Sequence, residues 1–364
     1  MSVGILKGTS KEAMRDNNLS ALLTEIHRNG EMSRAELGER LGLSKTTIAE
    51  LVDELEQLEL LTKNGSEIRS SAGRPSHVVA PSKLPLVVVF NPEIDGITVG
   101  LVNLAGEIIW EKFTQMNRTY SPSEFSAYAS QVFAELEPEL AARIWAGVAV
   151  LPGAIEKTTA RLIAAPSLEW QSVFLKADLE AILKLPVFLV NNGRAATIAE
   201  HHFGYATNLR NAVCIISGAG GVGGGVIVNR EVLDGERGVA GEIGKMRIHD
   251  SDLGLPGNMS FGHLMTRERV EDAPALHARV LTNALATLRD LFDPEVIVVL
   301  GYLGELVETR RAAILKELND GALIARGDDF LISRATGLNS MLLLGGAEIA
   351  WSELLANPRQ TLKR

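Results

Sequence analysis

Residues 217–225 read SGAGGVGGG, six glycines in nine positions. Such a run lets backbone N–H groups close around a phosphate, and taken alone it suggests a kinase or an ATPase. A second cluster, Ser44-Lys45-Thr46-Thr47, suits nucleic acid instead. Lysine pairs with guanine or phosphate, and threonine bonds a base or touches a thymine methyl. His249, Asp250, Asp252 and His263 carry ligating atoms, but their spacing fits no metal motif and they read as surface polar groups. The one cysteine, Cys214, lies in the apolar run AVCIIS and can form neither an internal disulfide nor a cysteine-rich zinc site. No metal and no cofactor is expected.

The elements that must present residues 44–47 follow from the pattern around them. Leu19, Leu22, Leu23 and Ile26 form a helical stripe starting near Asn18, with Gly30 as its stop. In MSRAELGERLG, Ser33 and Glu36 have capping-box spacing, Leu37 and Leu41 face inward, and Gly42 permits a turn. Ser44 then caps a second helix whose buried stripe is Ile48, Leu51, Val52, Leu55 and Leu58. Two short helices across a glycine turn make a helix-turn-helix, which sets the first residues of its second helix against base edges in the major groove. Asn64-Gly65 predicts the turn of a β-hairpin wing, with Arg69 and Arg74 near its tip.

The whole chain carries a net charge of −9, but the charge is uneven. Residues 1–80 hold ten Lys/Arg against twelve Asp/Glu, whereas residues 61–80 hold three bases against one acid. Asp53, Glu54, Glu56 and Glu59 gather on the back of the second helix, leaving one face for DNA. The candidate DNA contacts are Arg34, Ser44, Lys45, Thr46, Thr47, Lys63, Arg69 and Arg74. A winged-helix module for a protein partner is the competing reading.

At 364 residues the chain calls for two or three domains. No apolar run approaches the roughly 20 residues that span a bilayer, and the polar N-terminus lacks a signal-peptide core. With a single thiol, a reducing cytoplasm fits best. From residue 84 onward, apolar runs such as LVVVF, TVGLVN, LPVFLVNN, NAVCIISGAGG and PEVIVVLG alternate with helices such as PSEFSAYASQVFAELEPEL. That alternation implies an α/β body in two lobes, with a cleft at the strand ends.

The segments MSRAELGERLGLSKTTIAELVDELEQLELL, GRPS, VGLVNLAGEIIWE, AVLPG, APSLEWQSV, LPVFLVNNGRAATIAEHHFG and ISGAGGVGGGVIVNREVLDGERGVAGEIGKMRI occur in that order. Through them, residues 15 to about 355 resemble a ROK-family transcriptional regulator. The resemblance implies an α/β chain with an N-terminal winged helix-turn-helix over residues 1–82 and a two-lobed, actin-like (ribonuclease H-like) ROK domain. Its lobes would cover 83–190 and 191–364, the C-terminal helix returning toward the first. It further implies a cytoplasmic regulator, expected to repress carbohydrate-related genes as a homo-oligomer, dimer or tetramer, on a pseudo-palindromic double-stranded DNA operator. A sugar or sugar-phosphate effector would sit in the cleft, and no membrane is involved.

The departures from the family pattern bear on chemistry. Where family kinases carry an Asp-x-Gly-Gly-Thr phosphate loop, this chain has NPEIDG, with Asn91 for the Asp and Glu93 set to repel phosphate. Asn192 replaces the Asp that serves those kinases as general base, and a carboxamide cannot take a proton near neutrality. Ser167 stands for a sugar-contacting Asn, and Lys245 for the His of a zinc site whose three cysteines are missing. Gly153, Asn191 and Glu242 are kept, so the candidate ligand residues are Gly153, Ser167, Asn191, Asn192, Glu242 and Lys245. Lys245 would suit an acidic or phosphorylated ligand. Two alternatives stand beside the effector-controlled regulator: a regulator controlled by a protein partner without any effector, and an active sugar kinase with an added DNA-binding domain. The glycine run itself is expected to be a retained turn between two strands of the second lobe, in which glycine permits positive φ and close backbone packing.

Overall fold

The computed structural model describes residues 11–68, 76–248, 259–320 and 322–361. The chain opens with α1 (Lys11–Asn29), a two-residue β1 (Met32–Ser33), α2 (Arg34–Leu41) and α3 (Lys45–Gln57). Two longer strands follow, β2 (Leu61–Ile68) and β3 (Ser76–Pro81), and the three strands form one sheet in the order β1-β3-β2. Leu19, Leu22, Leu23, Ile26, Leu37, Ile48, Leu51, Val52 and Leu55 are all buried, which is the core the apolar stripes predict.

Three local details differ from the sequence reading. The first helix begins at Lys11, well before Asn18, because its first two turns are polar and give no periodic signal. The capping box is half made: Ser33 Oγ accepts from the Glu36 amide, while the Glu36 carboxylate accepts from Arg40 at 2.9 Å. Asn64-Gly65 lies inside β2, at an irregularity in its register with β3, and is not the hairpin turn. Arg69 and Arg74 lie outside the described residues.

The body holds two five-stranded sheets. The first, in the order β11-β7-β4-β5-β6, uses β4 (Leu86–Glu93), β5 (Gly96–Asn103), β6 (Ile108–Gln115), β7 (Ile144–Leu151) and β11 (Val187–Asn191). Helices α4 (Pro122–Glu135), α5 (Pro138–Ala141) and α6 (Leu175–Leu183) flank it, with a small sheet of β8 (Ala154–Glu156), β9 (Arg161–Ala165) and β10 (Trp170–Val173). Pro138 splits what the pattern suggested was one helix, since the residue before a proline is pushed out of helical geometry. Strands β4, β5 and β7 are buried along nearly their whole length, so their sequences are continuous apolar runs; edge strand β6 alternates half-buried and exposed.

Helix α7 (Asn192–Phe203) leads to the second sheet, ordered β14-β13-β12-β15-β16. Its strands are β12 (Ala212–Gly218), β13 (Gly221–Val228), β14 (Glu231–Val232), β15 (Val296–Gly301) and β16 (Leu331–Arg334). It is backed by α8 (Phe261–Leu264), α9 (Arg267–Asp272), α10 (Pro274–Phe292) and α11 (Tyr302–Asn319). The chain ends in α12 (Leu338–Ala356) and α13 (Pro358–Thr361). Helix α12 is apolar on nearly every face because it is buried between α7 and the first sheet. A Cβ at Gly345 would come within 1.8 Å of the Ala195 carbonyl, so only glycine lets α12 approach α7 this closely.

Candidate nucleic-acid interface and effector cleft

At the start of α3, Ser44 Oγ accepts from the Thr47 amide at 3.1 Å and pairs with the Thr47 hydroxyl at 2.9 Å. Both side chains are therefore partly committed to the cap, and they leave Lys45 and Thr46 exposed at the helix tip. The acids on the rest of α3 are paired with cations. Arg34 donates to Asp53 at 3.2 Å, Lys63 pairs with Asp53 and Glu56, and Glu54 takes both Arg15 of α1 and Arg359 of α13. Arg359 also reaches Asp16 at 2.6 Å, so these acids anchor the C-terminal helix as well as turning charge away from the helix tip.

The cleft is built where β4, β11 and the β12–β13 turn converge. Asn191, the last residue of β11, caps α7 by accepting from the Arg194 amide at 3.2 Å and donates to the Gly153 carbonyl at 2.9 Å. Its side chain thereby fixes the strand–helix corner. Gly153 sits where a Cβ would be 2.3 Å from the Ala164 carbonyl, so its place in the fold is a close backbone approach. Asn192 accepts from its neighbour's amide at 2.8 Å and donates to Glu93 Oε1 at 3.4 Å. Glu93 comes from the end of β4 and reaches across to the turn at Gly220, where an added Cβ would lie 2.4 Å from Glu93 Oε2 and 3.3 Å from Ser167 Oγ. Burial pushes the Glu93 carboxyl up to about 7; Asn192 and the Gly220 N–H act in the opposite sense and only partly offset this.

Three polar atoms here are buried and have no hydrogen-bond partner: Asn91 Oδ1, Glu93 Oε2 and Ser167 Oγ. Asn91 and Glu93 line a cavity of about 150 Å³, together with Asp95, Thr98, Gly218 and Ala219. Glu242 opens a short turn beside the glycine run, and burial raises its carboxyl while Lys245 acts against the rise. Lys245 itself is exposed. In the glycine run only Gly221 has positive φ, at +112°. Close packing accounts for Gly224 and Gly225, where a Cβ would meet the Cys214 carbonyl and Thr197 of α7, each at 2.4 Å, so both reasons expected for glycine occur in the run.

A third buried site, with no signal in the local sequence, joins the two parts of the chain. His27 of α1 donates through Nδ1 to the Leu104 carbonyl at 2.9 Å, and its Nε2 meets the Glu348 carboxylate of α12 at 3.0 and 3.1 Å. His202, near the end of α7, brings Nδ1 to 3.3 Å from the same carboxylate. Burial works against the charge on His27, but Glu348 and the Leu104 carbonyl outweigh it and raise the pKa. Glu348 is lowered in turn, against its own burial, by His27 and then His202. Ligating atoms of the three residues lie within 4.8 Å of one another, so among the described residues this is the group that could hold a cation. A proton on His27 already gives the carboxylate its partner. Among the described residues no helix is long and apolar enough to cross a membrane.

Residues 20–67 match the MarR family and residues 94–259 the ROK family. The chain thus carries a MarR-like winged helix followed by a ROK domain, the architecture of ROK-family transcriptional regulators. The xylose repressor of Bacillus subtilis (strain 168) is 26% identical over 333 residues, spanning 89% of this chain and 85% of that protein. The glucokinase of Streptomyces coelicolor is 35% identical, but over 96 residues that make up 26% of this chain and 30% of the enzyme. The crystal structure of a ROK family transcriptional regulator, a homolog of the E. coli MLC protein, matches with a TM-score of 0.77 at 19% identity. It covers 96% of this chain and 100% of that one, which shows the shared fold.

Proposed function

We propose that the protein is a cytoplasmic repressor of carbohydrate-related genes and not a sugar kinase. A homo-oligomer sets two α3 helices into successive major-groove half-sites of a pseudo-palindromic operator. Lys45 and Thr46 enter the groove, with Ser44 and Thr47 holding the helix tip; Arg69 and Arg74 supply the backbone-facing charge, while Arg34 and Lys63 are held by Asp53 and Glu56 and contribute only if released from them. A sugar-class effector occupies the cleft among Gly153, Ser167, Asn191, Asn192, Glu242 and Lys245.

The observation that carries this reading is the course of α7. The helix starts at the cleft with Asn192 and nears its end at His202, in contact with Glu348, which holds His27 of α1, the first helix of the winged-helix domain. Twelve residues make a rigid connection of about 18 Å. An effector acts through it only to the extent that it binds one arrangement of the lobes better than another. Phosphoryl transfer finds no support in the same cleft, because Asn192 cannot act as a base and a carboxylate faces the glycine turn.

The test is selection of bound fragments from genomic DNA with the full chain, repeated with candidate sugars present. A specific, partly palindromic site is expected, released by at least one sugar. Failure to recover any specific site refutes the proposal. On that site, Lys45→Ala should weaken binding about tenfold and reduce its salt dependence.

A further inference from the structure

We infer that Glu93 is a built-in stopper of the phosphate cradle, and that the cleft in consequence selects an unphosphorylated polyhydroxy ligand whose hydroxyls donate to Glu93 and Ser167. This rests on the reading of the cleft as an effector site.

The glycine turn offers what an anion needs, a backbone N–H at Gly220 on a residue without a side chain of its own. The chain's own carboxylate already stands in that position, close enough to Gly220 that a Cβ there would overlap Oε2. It is delivered from β4 of the first sheet and steadied on one oxygen by Asn192 at the head of α7. A phosphate arriving at Gly220 would meet a second anion in a buried setting, where repulsion is poorly screened. Lys245, the cation that suggested an acidic ligand, is exposed and does not neutralise Glu93.

The unmade bonds say what the cleft takes in place of phosphate. Glu93 Oε2 and Ser167 Oγ flank the same spot beside Gly220, both buried, both without a partner. Asn91 Oδ1 is a third such acceptor in the cavity that Glu93 lines. Buried acceptors in that number are completed by donors. Hydroxyl groups of a polyol donate to a carboxylate and exchange hydrogen bonds with a serine hydroxyl, whereas phosphate oxygens only add acceptors. The cavity that Asn91 and Glu93 line does not include Ser167 or Gly220, and at about 150 Å³ it falls below the roughly 300 Å³ at which ligand pockets begin. A small sugar, bound with some opening of the lobes, suits it better than a nucleotide.

The experiment is calorimetry on the full chain at pH 8 with two kinds of probe: neutral sugars (xylose, glucose, N-acetylglucosamine) and the anions glucose 6-phosphate and pyrophosphate. Glu93→Gly, Glu93→Gln and Ser167→Ala are measured beside the parent, each with a melting curve to establish folding. The parent should bind a neutral sugar and neither anion. Glu93→Gly should lose at least tenfold in affinity for that sugar and gain at least tenfold for pyrophosphate. Glu93→Gln, which keeps the shape without the charge, should hold the sugar within a few-fold and reject the anion less strongly than the parent. Parent protein that takes glucose 6-phosphate as tightly as glucose overturns the inference, as does a folded Glu93→Gly variant with unchanged affinities. If no neutral sugar binds while Glu93→Gly gains pyrophosphate, the stopper stands and the effector reading falls.

Discussion

Glu93 and Glu348 are both carboxylates taken out of water, and the protein treats them in opposite ways. Glu348 lies between two histidines, with both oxygens engaged, and its pKa is held below the ordinary value. Glu93 has one long bond from Asn192, weak support from the Gly220 N–H, one oxygen without a well-formed hydrogen bond, and a pKa raised to about 7. The first is complete in the folded chain, and its completion ties α1, beside the winged helix, to α12 near the far end of the chain. The second is incomplete, on the side that faces Gly220 and the neighbouring cavity. A buried charge that is fully paired fixes a junction, and one left half-paired marks a seat for something the chain does not itself supply.

The comparison breaks most visibly at the paired site. Removing one member of a buried pair leaves the other charge uncompensated, which costs about 3–5 kcal/mol. Glu348→Ala and His27→Ala should each destabilise the full chain by that amount near pH 7, read from denaturant unfolding, with the winged helix released first. Replacing both by leucine should restore most of the loss, since a buried pair exchanged for apolar groups is often nearly neutral. Single variants within about 1 kcal/mol of the parent would mean that the junction is not held by this contact.

Glu93 gives the next effect, with the opposite sign. Its folded pKa, about 7, lies above the ordinary 4.5, so between those values the native state keeps a proton that the unfolded chain has lost. The associated stability is fully present below pH 4.5 and is lost as pH rises through 7; Asp95 nearby adds to the rise in pKa. Glu93→Gln should therefore be more stable than the parent by about 2–3 kcal/mol at pH 8 and no more stable at pH 4.5. Parallel urea unfolding curves at the two pH values would show that Glu93 ionises freely. The His27–Glu348 contact behaves differently. His27 contributes below its raised pKa and loses that contribution as pH rises through it, while Glu348 loses its own as pH falls through its lowered one.

How much of this the sequence made legible depends on how local each feature is. The α2–α3 pair could be read because Ser33, Gly42, Ser44 and the apolar stripe all act within a turn or two. The central strands were equally plain, being unbroken apolar runs. Asn64-Gly65 misled because a strong turn signal sits inside a strand that continues to Ile68. The glycine run was legible as a closely packed turn, but its packing partner was not: Thr197 of another element presses on Gly225, and such contacts leave no mark in a nine-residue window. The Glu93 carboxylate was visible as a charge hostile to phosphate, but its reach to Gly220 was not. His27 and Glu348 are 321 positions apart, and the only hint was a histidine next to the buried Ile26 at the end of an apolar stripe.

The smallest effect separates the buried tie from the surface clamp that runs parallel to it. Arg359 of α13 joins Glu54 of α3 and Asp16 of α1, but its side chain is 25% exposed and that of Asp16 is 42% exposed. Glu54 keeps Arg15 as a second partner, so losing Arg359 leaves no charge stranded. Pairs of this kind contribute on the order of 0.5–1 kcal/mol. Arg359→Ala should therefore lower the melting temperature by only a degree or two, and the difference should shrink further in 0.5 M salt, where the screening length falls to about 4–5 Å. The loss in Glu348→Ala, set in a dry junction, should persist at the same salt. Equal salt sensitivity in both variants would show that the two contacts form one solvent-exposed network, and the contrast between a paired buried charge and a surface one would then not describe this junction.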